Sequence, residues 1–186
     1  MKKLLFISIL ALLPFFVSAQ KIDYSTVDDF TGKTVIRTEW TNFDGKMQFD
    51  SKLGGRKLFG SQFMLRYEDD KMFFHLKWIE GPKMVKKGSV IQLKLKDGSV
   101  VNLKAIDDFI ADTNVYTSQG SGYSTNSLHI VYEGSMQGLS DLNLPEKLRI
   151  SSVYGSEIFD IDSKNARRLA KAYKLILDEI KKSESK

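Results

Sequence analysis

The stretch SQFMLRYEDDKMFFHLKWI, residues 61–79, decides the fold. Two runs that alternate apolar and polar residues flank Asp69 and Asp70, a pattern typical of a β-hairpin. With those two as the loop, the facing pairs of one side are all apolar: Phe63 with Leu76, Leu65 with Phe74, and Tyr67 with Met72. Glu68 then lies opposite Lys71, a favourable cross-strand charge pair. We expect the core to run through this hairpin.

A second hairpin is predicted in GSVIQLKLKDGSVVNLKA, residues 88–105, around the turn signal Asp97-Gly98. A two-residue loop would mix apolar and polar side chains on one face. A three-residue loop, 96–98, with Gly98 in the left-handed region, keeps the faces separate. Its inner pairs are Leu93 with Val101 and Ile91 with Leu103, and its outer pairs are Lys94 with Val100, Gln92 with Asn102, and Val90 with Lys104.

The remaining chain contributes further short strands. Alternating apolar residues predict them at 34–41, 106–116, 128–132 and 147–153, and through Ile158 and Ile161. Residues 21–33 look like a polar entry, the glycine-rich part of 43–60 like turns around a short strand, and 117–127 like a flexible polar loop. About eight or nine strands result.

The chain ends with a predicted amphipathic helix at 163–182, for which Ser163 is the expected N-cap. Apolar residues recur there at spacings of three and four: Ala166, Leu169, Tyr173, Ile176, Leu177 and Ile180. A basic stripe occupies the opposite face: Lys164, Arg167, Arg168, Lys171 and Lys174. Strands followed by one such helix predict a mainly β (α+β) fold, an antiparallel curved sheet or small barrel covered by the C-terminal helix.

The first nineteen residues, MKKLLFISILALLPFFVSA, have the features of a secretory signal peptide: Lys2 and Lys3, an apolar run, and small residues before Gln20. We therefore expect a single domain, residues 20–186, in the periplasm or outside the cell. The chain has no cysteine, so the lipoprotein route is excluded and the core alone must hold the fold. No membrane span is expected, because the run is shorter than the roughly 20 apolar residues that a span needs.

Two segments resemble small uncharacterised exported proteins of Gram-negative bacteria: DDFTG, residues 28–32, and the closing LPEKLRISSVYGSEIFDIDSKNARRLAKAYKLIL, residues 144–177. In that family a Phe-Thr-Gly segment follows the signal, and two strands and a helix close the chain. The order of elements is also similar to pleckstrin-homology-like and lipocalin-type barrels. These resemblances imply an architecture and an exported domain of unknown function, and they imply no catalytic residue.

Few residues point to chemistry. The predicted signal peptide holds two of the 28 basic residues and none of the 23 acidic ones, so the formal net charge falls from +5 to +3 without it, which is too mild to indicate a nucleic-acid partner. Two histidines without cysteine indicate neither a metal site nor a cofactor. His75 and His129 are expected as surface or rim imidazoles, and a sharper alternative joins them with Asp107, Asp108 or Asp112 as the acid and base of a hydrolase acting on envelope or extracellular polymers.

A binding or interaction module is the favoured function. Tyr116 and Tyr123, at the glycine-containing loop, are candidates for stacking against sugars or peptides. Arg167 and Arg168 are expected in solvent, where they merely solvate the helix or, in the functional alternative, meet an anionic envelope polymer, a lipid head group or a protein. Trp40 and Trp78 are expected mainly in the core, with a sugar platform as the alternative for both.

Overall fold

The computed structural model describes residues 20–50, 55–79, 83–118 and 121–185, and only the backbone of 44–50, 55–59, 114–118, 121–125 and Glu184. These ranges form thirteen strands and one helix. The predicted signal peptide, 1–19, lies outside them. The strands are β1 (Ile22–Val27), β2 (Thr34–Thr38), β3 (Thr41–Asp50), β4 (Gly55–Glu68), β5 (Lys71–Ile79), β6 (Met84–Val85), β7 (Val90–Leu95), β8 (Val100–Ala105), β9 (Phe109–Ile110), β10 (Asp112–Ser118), β11 (Ser121–Glu133), β12 (Pro145–Ser152) and β13 (Gly155–Asp160), and the helix is α1 (Ser163–Glu184).

Eleven strands form one antiparallel sheet in the order β1-β2-β4-β5-β11-β8-β7-β12-β13, with β3 paired to β4 and β10 to β11. The other two described strands, β6 and β9, pair with each other. The sheet is strongly curved. The ring centroids of Trp78 in β5 and Phe159 in β13 are 4.8 Å apart, although their strands are five places apart in the sheet. It does not close. The predicted fold class is confirmed, in its curved-sheet form and not as a barrel.

The β4–β5 hairpin has the predicted register. Leu65 pairs with Phe74 and Glu68 with Lys71, and both loop residues, Asp69 and Asp70, have positive φ of 53° and 59°. This is the backbone of the tight turns that suit the twist of a hairpin. The predicted charge pair at the turn is replaced by two others, because Glu68 binds Arg66 at 2.6 Å and Lys71 binds Glu133 of β11 at 3.2 Å.

The β7–β8 hairpin also has its predicted register, with Leu93 opposite Val101 and Ile91 opposite Leu103. Gly98 has φ +86°, as the three-residue loop requires. Asp97 braces that loop by accepting hydrogen bonds from the backbone N–H of Ser99 at 2.8 Å and from its hydroxyl at 2.6 Å.

Helix α1 packs its apolar side against the sheet, next to β1, β2, β3, β4 and β12. Leu169 and Ile176 are fully buried there, whereas Leu177, predicted on the same side, is 36% exposed. The N-cap is Asp162 and not Ser163, because the Asp162 carboxylate accepts the N–H groups of Lys164 and Asn165, each at 2.9 Å. No helix in the described part of the chain is both long and apolar enough to cross a membrane.

Three segments were predicted wrongly. The glycine-rich part, 43–60, was expected as turns around a short strand, but its described residues belong to two long strands, β3 and β4. The polar entry contains strand β1, which pairs with β2 through residues such as Val27 opposite Thr34. Residues of the expected flexible loop, 117–127, extend β10 and β11 into a long hairpin. Strand β1 is rich in polar residues and no described face of it is buried, so the alternation that signals a strand is weak there.

Candidate functional site

Strands β4, β5 and β11 have two different faces. The inner face carries Phe63, Leu65, Phe74, Leu76, Leu128 and Ile130, none more than 2% exposed, and meets α1 in the core. The outer face carries the alternate residues, among them His75 and Lys77 of β5 and His129 of β11. The candidate site lies on this outer face.

Trp40 reaches the outer face because the chain leaves the regular ladder between β2 and β3. Both strands pair with β4, but residues 38–40 interrupt the pairing. The hydroxyl of Thr38, itself fully buried, accepts the N–H of Leu65 at 3.0 Å, so the buried donor stays satisfied across the gap. The interruption leaves the half-buried Trp40 against the imidazoles of both histidines.

His75 and His129 form a hydrogen-bonded pair across β5 and β11. Nδ1 of His75 lies 3.1 Å from Nε2 of His129. Trp40 contacts both rings edge-to-face, with centroid distances of 6.4 Å to His75 and 5.4 Å to His129. Nζ of Lys77 lies over the indole, 4.1 Å from its centroid, in a cation–π contact. The expectation of two surface imidazoles is therefore wrong for His75, which is 8% exposed.

The pair is neutral at neutral pH. Burial lowers the pKa of His75 from 6.5 to about 4, and the nearby His129, Arg66 and Arg37 act in the same direction. Partial burial, and then the charge of Lys77, lower the pKa of His129. In a neutral pair one ring donates and the other accepts. Nε2 of His75 is buried and has no hydrogen-bond partner among the described residues, so one polar atom of the pair is unsatisfied.

The three aspartates that the sequence suggested as partners of the histidines lie elsewhere. Asp108 binds the ammonium of Lys86 at 3.0 Å and the N–H of Lys87 at 2.7 Å. Asp107 accepts the N–H of Asp108, and Asp112 is exposed; within the described ranges none of the three contacts either histidine. Two imidazole nitrogens can ligate a metal ion, but no group of three His, Asp or Glu residues that could hold one occurs in the described part.

A polar pocket of about 310 Å³ opens beside Trp40. Its lining residues come from four places in the chain: Gln20, Glu39, Trp40, Thr41, Asn42, Gln62 and Arg168. The amide of Gln62 donates to Oδ1 of Asn42 at 3.0 Å. The buried Gln20 donates to the carbonyl of Glu39 at 2.9 Å and accepts the hydroxyl of Thr41. The walls therefore hold several donors and acceptors next to one aromatic ring.

Arg168 enters this pocket from the first turns of α1. Its Nη1 donates to Oδ1 of Asn165 at 3.1 Å, and Nδ2 of Asn165 donates to the N-cap Asp162 at 2.5 Å. The cap thus orients the guanidinium. Arg168 is half-buried and not in solvent as expected, whereas Arg167 is exposed as expected.

The other predicted residues lie elsewhere. The backbones of Tyr116 and Tyr123 are directly opposite in the β10–β11 hairpin, and their side chains lie outside the described part. Trp78 packs against Phe159 on the inner side, as expected for a core residue.

Part of the candidate site was predictable from the sequence. The predicted β4–β5 register already placed Gln62 opposite Lys77 and Met64 opposite His75. The pairing of β5 with β11, which brings His129 beside His75, joins residues 54 positions apart and was not predictable from local pattern. The contribution of Arg168 likewise depends on how α1 packs.

Compared with known protein families, with curated proteins and with solved structures, the chain shows no match to any of them.

Proposed function

We propose that the protein is an exported carbohydrate-binding module and that the pocket beside Trp40 takes one sugar ring of an envelope or extracellular polysaccharide. The single observation that carries this proposal is the pocket itself. Its lining combines the indole ring of Trp40 with three amide residues and two charged ones: Gln20, Asn42, Gln62, Glu39 and Arg168.

This composition matches the chemistry of a sugar. The C–H groups of a pyranose ring pack on an aromatic face, and its hydroxyls need partners that both donate and accept. Amide side chains meet that need, and a carboxylate and a guanidinium fix orientation through stronger hydrogen bonds. A volume of about 310 Å³ is at the lower end of small-molecule sites, which suits a single ring.

Binding without cleavage is favoured over the hydrolase alternative. A glycoside hydrolase commonly uses two carboxyl groups on either side of the scissile bond. Glu39 is the one carboxylate among the residues that line the pocket. The two histidines bond to each other, and their lowered pKa values keep them uncharged near neutral pH.

Export follows from the predicted signal peptide. Cleavage after Ala19 would place the new α-amino group at Gln20, whose side chain is already part of the pocket wall. The polysaccharides of the envelope and the surroundings are the sugars available in that compartment.

The test compares the wild-type protein with Trp40→Ala on a panel of immobilised bacterial and plant polysaccharides. We expect the wild type to bind at least one polymer and Trp40→Ala to lose about tenfold or more, because stacking on an aromatic ring contributes on the order of 1–3 kcal/mol. Phe30→Ala is the matched control, since Phe30 is fully exposed in the turn after β1 and does not line the pocket.

Equal loss in both variants would show that exposed aromatic area and not the pocket binds the polymer. Release of reducing ends from a bound polymer by the wild type would favour the hydrolase instead.

A further inference from the structure

We infer that the polysaccharide is anionic and that its acidic groups lie on the outer face of β7, β8 and β12. This inference rests on the proposed function for the identity of the polymer as a sugar chain. The surface itself is defined by Lys94 of β7, Lys104 of β8, and Lys147 and Arg149 of β12, and we call it the basic face.

The strand register places these four side chains on one face of the sheet. Leu93 is opposite Leu148, and Ile91 is opposite Ile150 on the inner face, so the alternate positions project outward. Lys94 lies directly opposite Lys147, and Gln92 directly opposite Arg149. Lys104 follows on the neighbouring strand, opposite Val90. All four cationic residues are exposed.

Charge on this face is only partly compensated by the protein. Glu133 of β11 lies directly opposite Lys104, but its carboxylate binds Lys71 at 3.2 Å. Like charges directly opposite each other in a sheet repel, and Lys94 and Lys147 are such a pair. Asp160 of β13 approaches Lys147 at 3.5 Å. Among the described residues no carboxylate forms an ion pair with Lys94, Lys104 or Arg149.

The opposite end of the same outer face is built differently. Arg37 of β2 pairs with Asp23 at 2.5 Å, and Arg66 of β4 pairs with Glu68 at 2.6 Å. Both cations are paired there, whereas Lys94, Lys104 and Arg149 form no ion pair among the described residues. A merely solubilising surface does not require this division.

Arg149 is also held in place. Its Nη1 donates to Oε1 of Gln92 at 3.2 Å, and Nε2 of Gln92 donates to Oδ1 of Asn102 at 2.7 Å. This ladder runs across β12, β7 and β8 and ends on neutral acceptors, so it orients the guanidinium without neutralising it. A planar guanidinium with free N–H groups matches a carboxylate or phosphate.

The ligand class follows from both surfaces. Trp40 and Lys77 lie on the outer face of β4, β5 and β11, and the basic face begins on β8, the strand next to β11. A chain polymer that places one ring beside Trp40 can place acidic groups of later residues over the basic face. An acidic polysaccharide supplies both a sugar ring for the pocket and negative charges for the basic face, whereas a neutral polysaccharide would contact only the pocket.

The experiment measures binding of the full mature protein to alginate, a polyuronate, and to dextran, a neutral polysaccharide of similar length, at about 0.02 M and about 0.3 M salt. The test variant is Lys94→Gln/Lys104→Gln/Arg149→Gln. The matched control is Lys164→Gln/Arg167→Gln/Lys171→Gln, which removes the same charge from exposed positions of α1. Thermal unfolding confirms that both variants are folded.

We expect the wild type to bind alginate about tenfold or more tightly than dextran at low salt and to lose that preference at high salt, as charge attraction predicts. The basic-face variant should lose the preference and the helix variant should keep it. Equal alginate binding by the wild type and the basic-face variant, or loss only in the helix variant, overturns the inference. So does binding to vesicles of anionic phospholipid without binding to alginate.

The two proposals fail in different ways. If the wild type binds both polymers equally and Trp40→Ala abolishes binding to both, the result supports the sugar site beside Trp40 and contradicts the inference for the basic face. If Trp40→Ala binds both polymers like the wild type while the basic-face variant no longer binds alginate, the sugar site beside Trp40 is contradicted and the basic face is supported as the polyuronate site. Binding to neither polymer overturns the inference for the basic face.

Discussion

The two faces of β4, β5 and β11 are made by the same strands and do opposite things. The inner face is apolar and closed, and Phe63, Leu65 and Phe74 are fully buried there. The outer face carries Nε2 of His75 without a hydrogen-bond partner among the described residues, Lys77 over the indole of Trp40, and the polar pocket. The inner face therefore holds the apolar core, and the outer face carries the polar groups on which the proposed function rests.

The largest expected effect lies on the inner side. Leu169→Ala in α1 removes a fully buried side chain from the contact between helix and sheet. We expect the free energy of unfolding to fall by about 2–5 kcal/mol, the range for large-to-small core substitutions. Urea denaturation measures it. A loss below about 1 kcal/mol would mean that α1 is not part of the core and that the division between faces is drawn wrongly.

The histidine pair on the outer face makes the stability of the protein depend on pH. Because the pKa of His75 is lowered from 6.5 to about 4, the unfolded chain binds more protons than the folded one in that window. Stability should therefore be full above pH 6.5 and fall on acidification, by up to about 3 kcal/mol at pH 4.

Denaturation of the wild type and of His75→Gln across pH 4–7 tests this expectation. The variant should show a shallower dependence on pH, because it lacks the group that must be protonated at a cost. Identical slopes for both proteins would place the pH dependence elsewhere.

A smaller effect is expected at the β7–β8 turn. Gly98 has φ +86°, where nothing lies within 4 Å of an added Cβ, so the strain of a substitution is purely conformational. Gly98→Val should lower stability by about 1 kcal/mol or more, because a β-branched residue is forced into the left-handed region. Gly98→Asn is the control and should cost less, since Asn tolerates that region. Equal stability of both variants and the wild type would contradict the loop geometry.

A still smaller effect, of opposite sign, is expected inside the core. The hydroxyl of Tyr132 is buried and has no hydrogen-bond partner among the described residues. Burial also raises the pKa of Tyr132. Tyr132→Phe removes an unsatisfied polar atom at nearly constant shape, so stability should stay equal or rise by up to about 1 kcal/mol. A loss of stability would reveal a partner for the hydroxyl.

Local pattern was enough to predict the elements whose inner side is buried. The hairpins around Asp69 and Gly98 and helix α1 each carry a clear period of apolar residues, and their registers or spans agree with the structure. Strand β1 was missed because its residues are mostly exposed. The N-cap moved by one residue because Asp162 and Ser163 are both good caps, and only the geometry decides between them.

The site was less predictable because it depends on contacts between distant segments. Arg168 was singled out as a candidate, but its place beside Trp40 requires the packing of α1 against the sheet. The histidine pair requires β11 beside β5. No periodicity within a short window carries such information.

The most direct measurement uses the two tryptophans as probe and control. Trp40 lines the pocket, and Trp78 packs on the inner side against Phe159. In a ¹H–¹⁵N spectrum each indole N–H gives one signal, which Trp40→Phe assigns. On titration with alginate oligosaccharide, the account predicts that the Trp40 signal shifts and that the Trp78 signal stays in place. Saturated binding, shown by calorimetry, with no change in the Trp40 signal would contradict it.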